Sequence, residues 1–162
     1  MKVVEVMSVN VITVSPKASI RDLWTAIFKK GIHGIPVVDS KKKLLGIVAE
    51  EDLLKPLYPT YENLIEDFVS ASDFEEMEGK IDELTKLKAE HVMSKKVIFT
   101  RPDTPIMRAL SRMIARKVRQ LPVISQDNVL IGMVTKGDIF DVLFKKHFLR
   151  FTHKDSKVKI RP

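Results

Sequence analysis

The sequence of 162 residues contains no cysteine, so neither disulfide bonds nor thiolate chemistry is available to it. Its histidines are too scattered for the usual spacing of a zinc site, and no metal site is expected; they are His33, His91, His147 and His153. There is no run of about 18 or more apolar residues, and the first ten residues lack the basic-then-apolar layout of a signal peptide. These absences predict a cytoplasmic protein without membrane contact.

Sequence signatures of common catalytic sites are missing as well. The chain has no G-x-x-x-x-G-K-[ST] phosphate loop, no G-x-G-x-x-G, no G-x-S-x-G and no H-E-x-x-H. We therefore expect a protein that is not an enzyme.

The net charge of +7 is distributed unevenly along the chain. Residues 1–54 carry +2, residues 55–91 carry −6, residues 92–140 carry +6 and residues 141–162 carry +5. Within the acidic stretch, the apolar residues from Phe74 onward lie at helical spacing, which predicts a partly helical insert. This insert is interpreted either as a solvated helix that covers core surface or as a docking helix for a partner or a second copy.

An internal repeat is the strongest pattern in the sequence. Thirteen residues recur at a constant offset of 86 positions without a gap, whereas about three identities would arise by chance. Such a unit, of roughly 50 residues, is too small to bury a robust core alone, so the two copies are expected to pack together. In the first copy the recurring residues are Val6, Met7, Ser8, Val11, Ile12, Pro16, Ile20, Pro36, Val37, Leu44, Gly46, Val48 and Asp52.

Each copy is predicted to contain the same series of elements. A short β-like run, at residues 11–14 and 97–100, leads through a proline into a helix. Thr104 is expected to cap the second of these helices, with Pro105 as its first residue. Two strands follow in each copy, at 35–38 and 44–48 and at 121–124 and 130–134, and a further helix begins near Asp52 or Asp138. The apolar positions of the first helix are Ile20, Leu23 or Trp24, and Ile27, and in the second copy Ile106, Ala109 or Leu110, and Met113.

This ordered pattern, present twice, resembles the CBS domain family. Its parts are Val-Met-Ser before the first strand, the Ile-Pro-Val-Val strand, and a glycine-containing strand that leads into a helix carrying an Asp. The resemblance implies an α/β fold with two tandem βαββα-type CBS repeats packed with pseudo-twofold symmetry. The expected divisions are repeat 1 at 1–54, the acidic insert at 55–91, repeat 2 at 92–145 and a basic C-terminal tail at 146–162.

The resemblance also implies an adenosine-containing ligand in the cleft between the repeats. In the sequence itself, Thr135 and Asp138 lie at a strand-to-helix corner, where an Asp can accept ribose hydroxyls and free helix N–H groups favour anions. The same residues also suit a structural role, in which Asp138 caps its helix and Thr135 satisfies a backbone group. Carried over from the family, the main site comprises Thr135, Asp138, Met133, Ser8, Ile12, Thr13, Ile32, His33 and Gly34.

The mirror-related site is expected to bind more weakly, or to suit a less anionic ligand. It comprises Asp52, Ser94, Ile98, Arg119 and Gln120. Ala49 stands where Thr135 stands in the main site, and the loss of one hydroxyl contact costs about 0.5–1.5 kcal/mol, or up to about tenfold in affinity. Glu50 and Glu51 are also expected to repel a phosphate there.

Phosphate donors are expected at Arg119, His33 and Lys136. Arg119 and His33 hold equivalent positions in the two copies, but only Arg is charged at every physiological pH. Arg101, Arg116 and Lys117 are interpreted either as positive potential near the phosphate or as exposed solubilising charges.

These observations predict a non-catalytic regulatory module that needs no cofactor, binds an adenine nucleotide such as AMP, ADP or ATP, and transmits occupancy to an unidentified partner protein. A homodimer is expected on family grounds. The alternative is a nucleic-acid-binding or scaffold protein, because cations and aromatics alternate near the C-terminus. These residues are Lys145, Lys146, Phe148, Arg150, Phe151, Lys154, Lys157, Lys159 and Arg161.

Overall fold

The computed structural model describes residues 1–57 and 71–151. The N-terminal part begins with a 3-10 turn at Val3–Glu5 and contains α1 (Ile20–Trp24), which continues as a π-helical turn at Thr25–Lys29, then β1 (Gly34–Val38), β2 (Leu44–Ala49), α2 (Glu50–Leu54) and a 3-10 turn at Lys55–Leu57. The C-terminal part contains α3 (Ala71–Thr85), α4 (Ala89–Val92), α5 (Ile106–Ala115), β3 (Gln120–Ile124), β4 (Leu130–Thr135) and α6 (Lys136–Phe151).

The two copies build matching antiparallel hairpins. β1 pairs with β2 and β3 pairs with β4, and the registers correspond residue for residue at the 86-position offset. Each turn contains one residue with left-handed backbone, Lys42 in the first hairpin and Asn128 in the second. The four predicted strands are therefore confirmed, and each is one residue longer than predicted.

The β-like runs at 11–14 and 97–100 were wrongly predicted to be strands. Only Val14 and Thr100 form bridges, parallel to β1 and β3. Val14 N–H donates to Pro36 O at 3.1 Å and Val14 O accepts from Val38 N–H at 3.0 Å. The next bond of a parallel ladder would need an N–H from residue 36, which proline lacks, and Pro122 has the same effect in the second copy.

Two predictions about the first helix of the second copy, α5, were also wrong. Pro105 has ψ of 135°, so it precedes α5 as the N-cap residue instead of being the first helical residue. The hydroxyl of Thr104 accepts a hydrogen bond from Arg101 N–H at 3.3 Å and so stabilises the preceding turn. In α1, Leu23 is fully buried whereas Trp24 is 45% exposed, so Leu23 occupies the core position.

Each core includes a short segment from the other repeat. The segment at the start of the first repeat packs in the core of the second, and the segment before the second repeat packs in the core of the first. Val3 lies in the core of the second repeat and Ala89, 86 positions later, lies in the core of the first; both are fully buried. Val3 N–H donates to Thr104 O at 2.9 Å, and Ala89 N–H donates to Ala18 O at 3.0 Å. We call residues 3–8 and 89–94 the exchanged segments.

The ends of the exchanged segments lie against the second strand of each hairpin. Ser8 bridges to Met133 of β4, and Ser94 bridges to Ile47 of β2. Glycine is needed beside these bridges, because a Cβ at Gly46 would lie 2.6 Å from the sulfur of Met93. The repeated glycine therefore allows the close approach that joins each segment to the opposite sheet.

The two hairpins contact each other around a pseudo-twofold axis. At one end, Leu44 N–H donates to Asn128 O at 3.1 Å and Leu130 N–H donates to Lys42 O at 2.9 Å. Buried side chains fill the space behind these bonds; they are Val38, Ile124 and Leu130. At the other end, the side-chain amide of Gln120 donates to the carbonyl of its symmetry counterpart Gly34 at 2.8 Å. The predicted pseudo-twofold pairing of two α/β repeats is confirmed.

The helical part of the acidic insert is α3. Its residue Leu84 is buried in the core of the first repeat, so this helix does cover core surface, while Ile81 remains 45% exposed. Residues 58–70 of the insert lie outside the described residues. Within residues 1–57 and 71–151, no helix combines the length and the apolar character needed to cross a membrane.

Candidate ligand-binding site

All five residues predicted for the mirror-related site line one cavity between the repeats. This cavity, the Asp52 cavity, has a volume of about 390 Å³, which lies within the usual range for small-molecule sites. His33 and Gly34, which had been assigned to the main site, also line it. Its lining residues are His33, Gly34, Ile47, Ala49, Glu50, Glu51, Asp52, Ser94, Lys96, Val97, Ile98, Lys117, Val118, Arg119 and Gln120.

Asp52 lies in the first turn of α2, directly after β2. Its Oδ2 accepts a hydrogen bond from Ala49 N–H at 2.7 Å, whereas its Oδ1 has no hydrogen-bond partner among the described residues. Burial raises the pKa of Asp52 above the ordinary value of an aspartate; the Ala49 bond opposes this shift and Glu51 adds to it. The carboxylate is thus held by the backbone on one side and can accept hydroxyl donors on the other.

Three cations line the Asp52 cavity: Lys96, Lys117 and Arg119. Lys117 has a φ of 54°, a left-handed conformation that disfavours side chains, and its counterpart in the first repeat is Gly31 with a φ of 68°. A lysine thus occupies a position where the other copy uses glycine, although the conformation costs about 1–2 kcal/mol. The charges of these three residues offset those of Glu50, Glu51 and Asp52, so the expected repulsion of a phosphate is countered within the same cavity.

An apolar surface lies in the same cavity as these charges. It consists of Ile47 of β2, Val97 and Ile98 from the segment after Ser94, and Val118 before β3. The Asp52 cavity thus offers a hydroxyl acceptor, cations and an apolar surface, which are the three requirements of a nucleotide.

The Thr135–Asp138 corner is engaged in its own hydrogen bonds. Asp138 Oδ2 accepts from both the backbone N–H and the hydroxyl of Thr135 at 2.8 Å, and the Thr135 hydroxyl accepts from Asp138 N–H at 3.1 Å. This reciprocal arrangement is a capping box in which Thr135 is the N-cap residue and Asp138 is the third residue of α6. The expectation that Asp138 itself caps the helix was wrong, whereas Thr135 does satisfy a backbone group. Asp138 Oδ1 has no hydrogen-bond partner within the described residues, so the corner retains one acceptor for a ligand.

The remaining residues of the predicted main site lie in different surroundings. Ser8 and Met133 exchange backbone hydrogen bonds of 2.9 Å close to the corner. Thr13 lines a separate cavity of about 310 Å³ that also includes Gly132. Ile12 is 52% exposed, and Ile32 packs against the core of the first repeat.

Among the predicted phosphate donors, Arg119 and Lys136 are neighbours through a backbone bond of 3.0 Å from Lys136 N–H to Arg119 O. His33 is exposed at the rim of the Asp52 cavity. Sequence reasoning missed Lys96 and left Lys117 open between positive potential near the phosphate and a solubilising charge. The signal that could have identified Lys117 is its alignment with Gly31 in the other copy.

The basic C-terminal tail is described only in part. Lys145 forms an ion pair with Asp141 at 2.7 Å on α6, and residues 152–162 lie outside the described residues. The nucleic-acid alternative therefore stays a prediction. In the described ranges, no group of three or more His, Asp or Glu side chains is arranged to hold a metal ion.

The fold and its cleft define a paired-repeat module in which two copies of one α/β unit share a ligand-sized cavity. The sequence model of the CBS domain matches residues 3–58 and 89–145, and the chain belongs to the CBS domain family.

Individual proteins are similar to this chain over most of its length. The chain is 33% identical over 129 residues to the uncharacterized protein MJ1426 of Methanocaldococcus jannaschii, covering 72% of this chain and 77% of that protein. It is 31% identical over 135 residues to the inosine-5'-monophosphate dehydrogenase of the same organism, covering 83% of this chain but only 22% of the enzyme.

Two solved structures resemble this one in fold. CBSX2 in complex with AMP matches with a TM-score of 0.70 and 24% identity, covering 90% of this chain and 98% of that one. The CBS domain pair of MJ0100 in complex with 5'-methylthioadenosine and S-adenosyl-L-methionine matches with a TM-score of 0.64 and 22% identity, again over 90% and 98%.

Proposed function

We propose that this chain is a non-catalytic regulatory module that binds an adenosine-containing ligand between its two repeats. The observation that carries the proposal is the Asp52 cavity, in which a carboxylate, an apolar surface and three cations lie together. The relatives support the ligand class, since CBSX2 was solved with AMP and MJ0100 with two adenosine compounds. A cytoplasmic location stays a prediction.

The chemistry of the cavity suggests how the ligand is held. Asp52 accepts the ribose hydroxyls, because its Oδ1 has no partner among the described residues and an ionised acceptor forms strong hydrogen bonds. The base lies on the apolar surface that includes Ile47 and Ile98, and the phosphate lies toward Lys117 and Arg119.

The Thr135–Asp138 corner is proposed as the second ligand site. The sequence predicts that the corner binds the ligand more tightly than the Asp52 site does. This order of affinities stays a prediction, because the geometry gives each site a different advantage. In the corner, the Thr135 hydroxyl holds the Asp138 carboxylate in place, whereas the Asp52 cavity has the three cations. Binding stoichiometry with AMP therefore decides whether one site or both are occupied.

A ligand panel tests this function. We expect AMP to raise the melting temperature more than adenosine or S-adenosyl-L-methionine, since only AMP presents a phosphate to the cations. Lys117→Gly should remove one cation and relieve the left-handed strain, leaving the free protein at least as stable while weakening AMP binding about three- to tenfold. Adenosine binding should be unchanged in this variant. If no compound in the panel shifts the melting temperature of the wild type, the proposed function fails.

Transmission to a partner is proposed to involve a homodimer formed through α5 and α6. These helices expose apolar side chains, including Ile114 at 60%, Phe140 at 44% and Phe144 at 53%. The rings of Phe140 and Phe144 lie 6.1 Å apart and form a continuous aromatic surface. A dimer that changes its geometry when the ligand binds would pass occupancy to the regulated protein.

Phe144→Glu should weaken this dimer at least about tenfold, because it places a charge in an apolar interface. Lys146→Gln is the control: it changes the net charge by the same amount two residues further on, about 200° around the helix. Sedimentation velocity over a range of concentrations measures both. Equal behaviour of the two variants, or a wild type that is monomeric throughout, would contradict this dimer.

A further inference from the structure

A second cavity, of about 450 Å³, lies next to the Asp52 cavity and is strongly basic. Its lining residues are Lys96, Val97, Ile98, Phe99, Arg112 and Arg116, and we call it the basic groove. These lining residues, all within the described part of the chain, include three cations and no carboxylate. Lys96, Val97 and Ile98 line both cavities, so the basic groove begins where the Asp52 cavity ends.

Arg112 is held in place within the groove. One of its guanidinium nitrogens, Nη1, donates to the carbonyl of Phe99 at 2.6 Å, and Nη2 has no hydrogen-bond partner in the described residues. The side chain of Arg116 is exposed at the C-cap position, directly after the last residue of the same helix. Three like charges around one groove repel each other, and an anion with several negative charges removes that repulsion.

The duplication provides an internal comparison for these cations. At the positions equivalent to Lys96, Arg112 and Arg116, the first repeat has Asn10, Ala26 and Lys30. Lys30 and Arg116 end their helices with nearly the same backbone, at φ −98° and −96°. The first repeat therefore ends its helix with the same backbone and with one cation in place of three, although a π-helical turn at Thr25–Lys29 precedes that end. The additional charges of the second repeat need another explanation.

We infer that the basic groove binds the distal phosphates of a nucleoside polyphosphate whose nucleoside occupies the Asp52 cavity. This inference rests on the proposed function and adds that the ligand carries a chain of phosphates. Lys96 lies at the junction and contacts the phosphate chain as it leaves the cavity, while Arg112 and Arg116 bind its end. Arginine suits this position because its planar fork of donors matches phosphate oxygens.

The test compares AMP and ATP binding to the full chain by isothermal titration calorimetry at one ionic strength without divalent cations. The wild type should bind ATP at least about tenfold more tightly than AMP. Arg116→Gln should weaken ATP binding about fivefold and leave AMP binding unchanged. Lys30→Gln, at the equivalent position of the first repeat, should change neither. Both residues are exposed, so thermal melts should give wild-type stability for both variants.

The outcomes separate the inference from the function on which it rests. If AMP binds but ATP binds no more tightly, or if Arg116→Gln and Lys30→Gln weaken ATP equally, the basic groove is not a phosphate site and the proposed function stands. If inorganic tripolyphosphate alone binds as tightly as ATP and depends on Arg116, the groove takes free polyphosphate and the link to the nucleoside is wrong. If no adenosine compound binds at all, the proposed function itself has failed.

Discussion

Replacing Asp52 with asparagine should weaken AMP binding at the Asp52 cavity about 10- to 100-fold, because a charged acceptor for hydroxyl donors contributes about 1.5–3 kcal/mol. The fold should not suffer. Asparagine can still accept the hydrogen bond from Ala49 N–H, which is 2.7 Å long in the wild type. Calorimetric titration of AMP measures the affinity of each variant.

The raised pKa of Asp52 determines whether Asp52→Asn stabilises or destabilises the folded protein. Since burial raises this pKa in the folded state, the contribution of Asp52 to stability is present below the unfolded value of about 3.9 and is lost as the pH rises through the folded value. At pH 7 the ionised side chain therefore opposes folding, and Asp52→Asn should be at least as stable as the wild type. Thermal melts at pH 7 check this expectation.

Glu51→Gln is the matched control, because it removes one charge from the neighbouring position, and Glu51 is exposed. It should bind AMP as tightly as the wild type or more tightly, since a carboxylate near a phosphate is repulsive. Asp138→Asn should affect only the second binding step. An Asp52→Asn variant that binds AMP with wild-type affinity and stoichiometry would show that the nucleoside does not occupy the Asp52 cavity.

Val3→Asp should lower the free energy of unfolding by about 3–5 kcal/mol, because it buries an unpaired carboxylate in the core of the second repeat. The adjacent Val4 is 50% exposed, so Val4→Asp should change stability by less than about 1 kcal/mol. Urea unfolding followed by circular dichroism measures both.

Should Val3→Asp fail to fold, Val3→Ala provides the same comparison with a smaller loss of about 1–3 kcal/mol. Similar stabilities for substitutions at positions 3 and 4 would mean that residues 3–8 do not complete the core of the second repeat.

Much of the fold follows from the sequence because duplication is visible in it. The constant offset of 86 positions, together with strands of alternating or continuous apolar character, predicts two equivalent hairpins. The exchange of segments cannot be predicted from the sequence, since Val3 and Ala89 can be buried equally well by either of two similar sheets. Only three-dimensional packing determines which one. Leu23 and Trp24 are likewise adjacent apolar residues, and the helical period alone does not separate them.

The candidate site was predictable to a similar degree. Asp52, Ser94 and Ile98 lie in one cavity because the strand-to-helix corner of one repeat and the exchanged segment of the other meet in the cleft. Lys96 was missed, and the role of Lys117 was left open, because lysine is usually a solvated surface residue. Their proposed role in binding depends on the cavity that they line, and the local sequence does not show that this cavity exists.

The exchanged segments also determine how this protein unfolds. Residues 3–8 cannot leave the second core without exposing Val3, and residues 89–94 cannot leave the first without exposing Ala89. A state with one repeat intact and the other melted would therefore lack part of its own core. We expect the two repeats to unfold as one cooperative unit, so that amide hydrogen exchange gives the buried strands of both hairpins the same opening free energy.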